Sequence, residues 1–109
     1  MSRLGMGTGT RGGSEQRALG VAGLADLLKH GYDRGINYWD LADAYRSHVH
    51  AREALKTVPR DKVVILSKTR SREPALATAD VDRFLTELGT DHLDICLVHC
   101  MTDRKWTEK

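Results

Sequence analysis

The chain has 109 residues, 40% of them hydrophobic and 29% charged. That is the composition of an ordinary globular protein with room for one domain at most, and it excludes disorder and collagen. Seventeen Lys and Arg against fifteen Asp and Glu leave a net charge of +2, and because the basic residues are scattered along the chain, charge offers nothing to nucleic acid or to an anionic membrane.

Residues Arg3 to Thr10 are glycine-punctuated and read as one brief strand, followed by a loop through Gly12, Gly13 and Ser14. A helix is then expected, with Ser14 as N-cap, Leu24, Leu27 and Leu28 as its apolar stripe and Gly35 as its stop. Gly20, Gly23 and Gly31 weaken it by up to about 1 kcal/mol each relative to alanine. Ile36 to Asp40 reads as a second strand. A second helix is expected over about Ser47 to Thr57, with Val49, Ala54, Leu55 and Val58 near its buried side and Pro59 just beyond.

Lys62 to Lys68 is the clearest strand: its four central residues are continuously apolar, as in a strand covered on both faces. Pro74 suits the first position of a third helix, where Val81, Phe84, Leu85 and Leu88 repeat at i, i+3, i+4, i+7 and Gly89 is the stop. Leu93 to His99 is a fourth strand. The order β-α-β-α-β-α-β, with helices long enough for parallel crossovers, predicts a parallel α/β class, either doubly wound or part of a (β/α)8 barrel. Apolar stretches fall far short of the roughly 20 residues that span a bilayer. MSRLGMGTGT lacks the pattern of a signal peptide, so the expected setting is the cytoplasm.

Cys96 and Cys100 lie four apart in the fourth strand, about 13 Å from each other. That is beyond the reach of a disulfide, and two buried or half-buried reduced thiols are expected.

Asp40, Lys68 and His99 close the second, third and fourth strands, and Tyr45 lies just after the second. In a parallel sheet all carboxyl ends point one way, so these four groups converge on the face where barrel enzymes place their chemistry. A free phenol, with a pKa of about 10, is a poor proton donor at neutral pH. A lysine ammonium beside it stabilises the phenolate it leaves behind, and an aspartate holds the ammonium in place. A histidine hydrogen bond can orient a carbonyl oxygen and stabilise charge building there. A proton donor beside a carbonyl, with no metal and no side-chain nucleophile, suits hydride addition from a nicotinamide.

Gly35-Ile36-Asn37-Tyr38-Trp39-Asp40-Leu41-Ala42-Asp43-Ala44-Tyr45 closely resembles the aldo-keto reductase signature, in which a strand aspartate precedes a loop tyrosine by five residues. Ile65-Leu66-Ser67-Lys68-Thr69 is similar to that family's lysine segment, and Leu88 through His99 to its block ending in the histidine. The resemblance implies a (β/α)8 barrel that reduces small aldehydes and ketones with NADPH. It also implies Tyr45 as proton donor, Lys68 and Asp40 tuning it, and His99 orienting the carbonyl. Gly7, Thr8 and Gly9, together with Asp40, would line the nicotinamide end of the cofactor. Two positions depart from the family pattern: Arg46 stands where glycine or asparagine is frequent, crowding or recharging the pocket mouth, and Cys100 stands where many members carry tryptophan.

A whole barrel takes about 250 residues. Residues 1–109 are therefore expected to be the amino-terminal part of one barrel domain, about four strands and three helices. The family's elements for the cofactor's pyrophosphate and 2′-phosphate would lie beyond Lys109, so turnover by this chain alone is not expected. An open barrel would leave the first and fourth strands as edges for self-association and uncover Leu66 and Leu97. The alternative is a non-catalytic half-barrel that keeps the fold for binding or scaffolding. Gly7-Thr8-Gly9-Thr10-Arg11-Gly12 fits G-x-G-x-x-G, but no strongly apolar strand precedes it and no helix opens directly from it, as a Rossmann site requires. His48 and His50 face different sides of a helix start, so they are expected to be solvated and not a metal pair.

Overall fold

The computed structural model describes residues 1–100. Four parallel strands form one sheet: β1 (Met6–Gly7), β2 (Tyr38–Asp40), β3 (Val64–Thr69) and β4 (Ile95–Val98). They lie in sequential order β1-β2-β3-β4. Among the described residues there is no reversal of strand order, and hence no switch point of the doubly wound kind; the sheet is an open arc of barrel topology. Among the described residues no helix is long and apolar enough to cross a membrane.

The helices are α1 (Ser14–Arg17), α2 (Gly20–Asp33), α3 (His48–Ala54) and α4 (Pro74–Leu88). The single first helix expected from Ser14 onward is broken in two after Arg17, where Gly20, the first residue of α2, adopts a left-handed φ of 77°. Ser14 lies inside α1 and its side chain caps nothing; Gly13 holds the N-cap position. The fourth helix follows its sequence closely. Pro74, which has no N–H to lose, opens it, and Gly89 closes it at φ 67° with its N–H on the Leu85 carbonyl.

One core lies between sheet and helices. Leu24, Leu28, Trp39, Ala51, Ala54, Val58, Ile65 and Leu88 are all buried in one cluster. Leu27 and Val49 were expected in it, yet both are more than two-fifths exposed. The buried face of α2 runs through Leu24, Ala25, Leu28 and Gly31, and that of α3 through His48, Ala51 and Ala54, which turns Leu27 and Val49 outward. Both faces of β3 are covered, Ile65 on one and Leu66 on the other. Leu66 is therefore buried, contrary to expectation: it pairs with Asp40 on one side and Ile95 on the other, and strands flank it on both sides. Leu97, on the last described strand, is 45% exposed as expected.

The cysteines and histidines also depart from their sequence readings. Cys96 and Cys100 are free and exposed, because β4 has no neighbour beyond it among the described residues. His48 and His50 are buried. The Nε2 of His48 lies 2.7 Å from the Ser67 hydroxyl and its ring packs on Phe84, so the residue is a core group. Burial outweighs the nearby Glu87 and pushes its pKa down, keeping the ring neutral.

A polar staple ties β4 to β3. Asp94 accepts the Ile65 N–H at 2.7 Å and an Arg60 N–H at 2.8 Å, and Arg60 also reaches the Val63 and His92 carbonyls and the Thr90 hydroxyl. Against the burial that would raise it, these donors hold the Asp94 carboxyl below the usual carboxylate range.

Candidate active site

Strand register builds the site. Gly7 pairs with Asp40 and Asp40 with Leu66, while β3 runs on to Lys68 opposite Leu97 and Thr69 opposite Val98. The ladder continues one step farther, with the His99 N–H on the Thr69 carbonyl at 2.8 Å. β1 thus ends level with β2, and β3 protrudes beyond both with β4 alongside it. Lys68 shares a face with Leu66, two residues past the end of β2, and its side chain leans back over that end.

There the Lys68 ammonium donates to Asp40 Oδ1 and, at 3.0 Å, to the Leu41 carbonyl. Its nitrogen sits 4.9 Å from the centre of the Tyr45 ring, and the Tyr45 and His99 rings meet edge to face, centroids 5.4 Å apart. Asp40, Tyr45, Lys68 and His99 therefore form one contiguous group at the carboxyl end of the sheet. β3 ends one residue beyond Lys68, and His99 lies just past β4.

Tyr45 is positioned by backbone. It ends the 3-10 turn Asp43–Tyr45, and its ring lies so close to Gly9 that a Cβ there would stand 2.6 Å from it. The Tyr45 carbonyl accepts a hydrogen bond from Arg17, and the following Arg46 takes a left-handed φ of 52°. The His99 pKa is pushed down, first by burial and then by the Lys68 and Arg70 charges, so its imidazole is neutral at pH 7. Its Nδ1 is shielded and has no partner among the described residues.

Of the three first-loop residues, Gly7 faces open space where a side chain would stand, and Gly9 supports the phenol. Thr8 is fully buried. Its hydroxyl donates to the Asp40 carbonyl at 2.9 Å and lies 2.9 Å from the Ser47 hydroxyl, tying the first loop to β2 and to the start of α3. The residues present fit the nicotinamide end of a dinucleotide: the bare Gly7 backbone leaves room for a flat ring, and the shielded His99 nitrogen has no partner among the described residues. Among the described residues, no group of three or more metal-ligating side chains stands together.

Sequence reasoning missed two features. Arg70 and Arg72, with Ala44, His99 and Cys100, line a cleft of 390 Å³ beside the imidazole. Arg83 forms a clamp on the loop carrying Tyr45. Arg70 had a legible signal, since it stands two residues after Lys68 and shares its strand parity; Arg83 had none, because its partner is 40 residues away.

A profile of the Aldo/keto reductase family matches residues 3–106. The chain is 33% identical over 78 residues to an NAD/NADP-dependent indole-3-acetaldehyde reductase of Schizosaccharomyces pombe, covering 70% of this chain and 27% of that one. It is 48% identical over 48 residues to a versiconal hemiacetal acetate reductase of Aspergillus parasiticus, covering 38% of this chain and 14% of that one. A solved structure from Pseudomonas aeruginosa, assigned to the aldo-keto reductases, superposes with a TM-score of 0.79 at 32% identity, covering 99% of this chain and 46% of that one. A thermostable aldo-keto reductase solved with the inhibitor epalrestat shares the fold, with a TM-score of 0.75 at 24% identity over 91% of this chain and 38% of its own. The chain spans less than half the length of each of these relatives. Matched in sequence from residue 3 to residue 106 and in fold along almost all of its described length, the chain belongs to the aldo/keto reductase family.

Proposed function

We propose that this chain supplies the acid–base half of an NADPH-dependent carbonyl reductase, as the amino-terminal part of one barrel domain working in the cytoplasm. The observation that carries this reading is the contact of one phenol with an ammonium on its face and a neutral imidazole at its edge. A bound reduced nicotinamide supplies the hydride, and Gly7, Gly9 and Asp40 would line that end of it.

The remaining chemistry belongs to side chains. His99, neutral because burial and the neighbouring Lys68, Arg70 and Arg72 charges oppose its protonation, donates a hydrogen bond to the substrate oxygen. Charge gathers on that oxygen as the carbonyl carbon is reduced, and Tyr45 delivers a proton to it. The phenolate left behind is stabilised by the Lys68 ammonium, which Asp40 and the Leu41 carbonyl hold over the ring. Without Asp40 that ammonium is free to turn toward solvent, and the tyrosine loses its electrostatic support.

The described residues line one side of the pocket, and β4 leaves an exposed apolar edge at Leu97 and Val98. We therefore expect no turnover from the chain alone, and turnover once the remaining βα units of a family member are joined to it. The test is consumption of NADPH by this completed barrel with an aromatic aldehyde. Tyr45→Phe should abolish reduction by a factor of about 10² or more and leave cofactor binding intact. Turnover that survives this substitution would disprove the assigned acid. A completed barrel that binds NADPH and never reduces a carbonyl would favour the non-catalytic half-barrel, which self-associates through its open edges.

A further inference from the structure

The cleft beside His99 has a chemical bias that carbonyl reduction alone does not need. Two arginines, an imidazole, an alanine and a thiol line its 390 Å³, and none of the described lining residues is a carboxylate. Arg70 is exposed and pairs with no carboxylate among the described residues, and its charge is felt at His99. Arg72 donates at 3.0 Å to the Arg70 carbonyl and at 2.7 Å to the His99 carbonyl, which fixes its guanidinium beside the imidazole. Two carbonyls engage two of its five N–H donors, and no described carboxylate neutralises its charge.

Among the described residues, the nearby acids are committed elsewhere. Asp43 and Glu87 line the adjoining cleft, which shares Ala44 and Arg70, but both are held by Arg83 at 2.8 to 2.9 Å. Asp40 is held by Lys68. Substrate entering next to His99 therefore meets positive charge that no described carboxylate compensates, of planar, bidentate type, the kind that matches a carboxylate.

We propose that the carbonyl compound taken by this site carries a carboxylate, which Arg70 and Arg72 hold while the carbonyl oxygen meets His99 and Tyr45. The inference rests on the carbonyl-reductase reading and assigns its substrate class. Arg70 is the specificity-determining residue, because Arg72 is already fixed to the backbone and the Arg70 guanidinium has no hydrogen-bond partner among the described residues.

The test uses the 109-residue chain and two probes of nearly equal shape, 4-carboxybenzaldehyde and its neutral amide 4-carbamoylbenzaldehyde. Titrations follow the imidazole resonances of His99 and the ring resonances of Tyr45. The acid should bind roughly tenfold tighter than the amide, the advantage should shrink as salt is raised, and Arg70→Gln should remove most of it while Arg70→Lys keeps part. The salt titration on the unaltered chain keeps the question decidable should a variant lose its fold. Equal binding of acid and amide, both moving His99, would overturn the carboxylate assignment and leave the carbonyl reading standing. Failure of both probes to move His99 or Tyr45 would overturn the carbonyl reading and the assignment with it. Benzoate binding as tightly as 4-carboxybenzaldehyde would also overturn the assignment, since the anion would then sit independently of the carbonyl.

Discussion

Arg83 forks onto Asp43: its two terminal nitrogens lie 2.9 and 2.8 Å from the two carboxylate oxygens, joining α4 to the turn that carries Tyr45. The same guanidinium reaches Asp80 at 3.3 Å, and Asp80 accepts the Thr69 and Ser71 hydroxyls at 2.6 Å, just beyond Lys68. These donors hold the Asp80 carboxyl below the usual carboxylate range, Ser71 foremost. One cation thus links the turn of the phenol to the end of the strand that carries the ammonium.

Removing that link should loosen the site more than the fold. Arg83 is about half exposed, so Arg83→Gln is expected to cost only about 1 kcal/mol in urea unfolding, the scale of a well-formed but solvent-screened pair. The Tyr45 ring resonances should broaden, and Arg83→Lys, which keeps the charge without the fork, should restore stability better than it restores Tyr45.

A methyl group at Gly9 should act almost purely on the site. The ideal Cβ stands 2.6 Å from the Tyr45 ring, and the Gly9 φ of −108° is open to any residue. Gly9→Ala is therefore expected to keep the fold and to break the edge-to-face contact between Tyr45 and His99. Chemical shifts of those two rings check this; rings that do not move would mean the phenol is not wedged against the loop.

Core truncation should be severe. Leu28 is fully buried in the single cluster between helix and sheet, and Leu→Ala at such a site costs about 2–5 kcal/mol. A folded chain typically has about 5–15 kcal/mol in hand, so Leu28→Ala is expected to lower the urea midpoint sharply, while Leu27→Ala on the exposed face should change it little.

Stability should rise with pH through the histidine range. His48, His50 and His99 all have pKa values pushed down by burial in the fold, so the unfolded chain takes up protons first. Stability is full above the unfolded histidine pKa of about 6.5 and falls as pH drops below it. A second loss is expected lower, as pH falls through the unfolded carboxylate pKa of about 3.9 and on through the depressed values of Asp80 and Asp94. Urea midpoints between pH 4 and 8 test the first window, and His48→Gln should flatten it. An equal slope in that variant would show that His48 is not the titrating group.

The sequence by itself determined the order of elements, the parallel class and the identity of the four groups at the strand ends. Those depend on local signals: the apolar run of β3, the Pro74 and Gly89 punctuation of α4, and the five-residue step from Asp40 to Tyr45 all act within a few residues of one another. Tertiary structure alone decided what is buried. His48 and His50 look like solvated polar residues until Phe84 and Ser67 close over the first, and Cys96 looks like core until β4 proves to lie at the edge of the described sheet. It also decided the charge balance of the cleft, because whether Arg70 is neutralised depends on Arg83 reaching across 40 residues to claim Asp43. Propensity and periodicity act over a turn or a strand, whereas burial and ion pairing are set by which distant segments meet, and one chain read in order holds no record of that meeting.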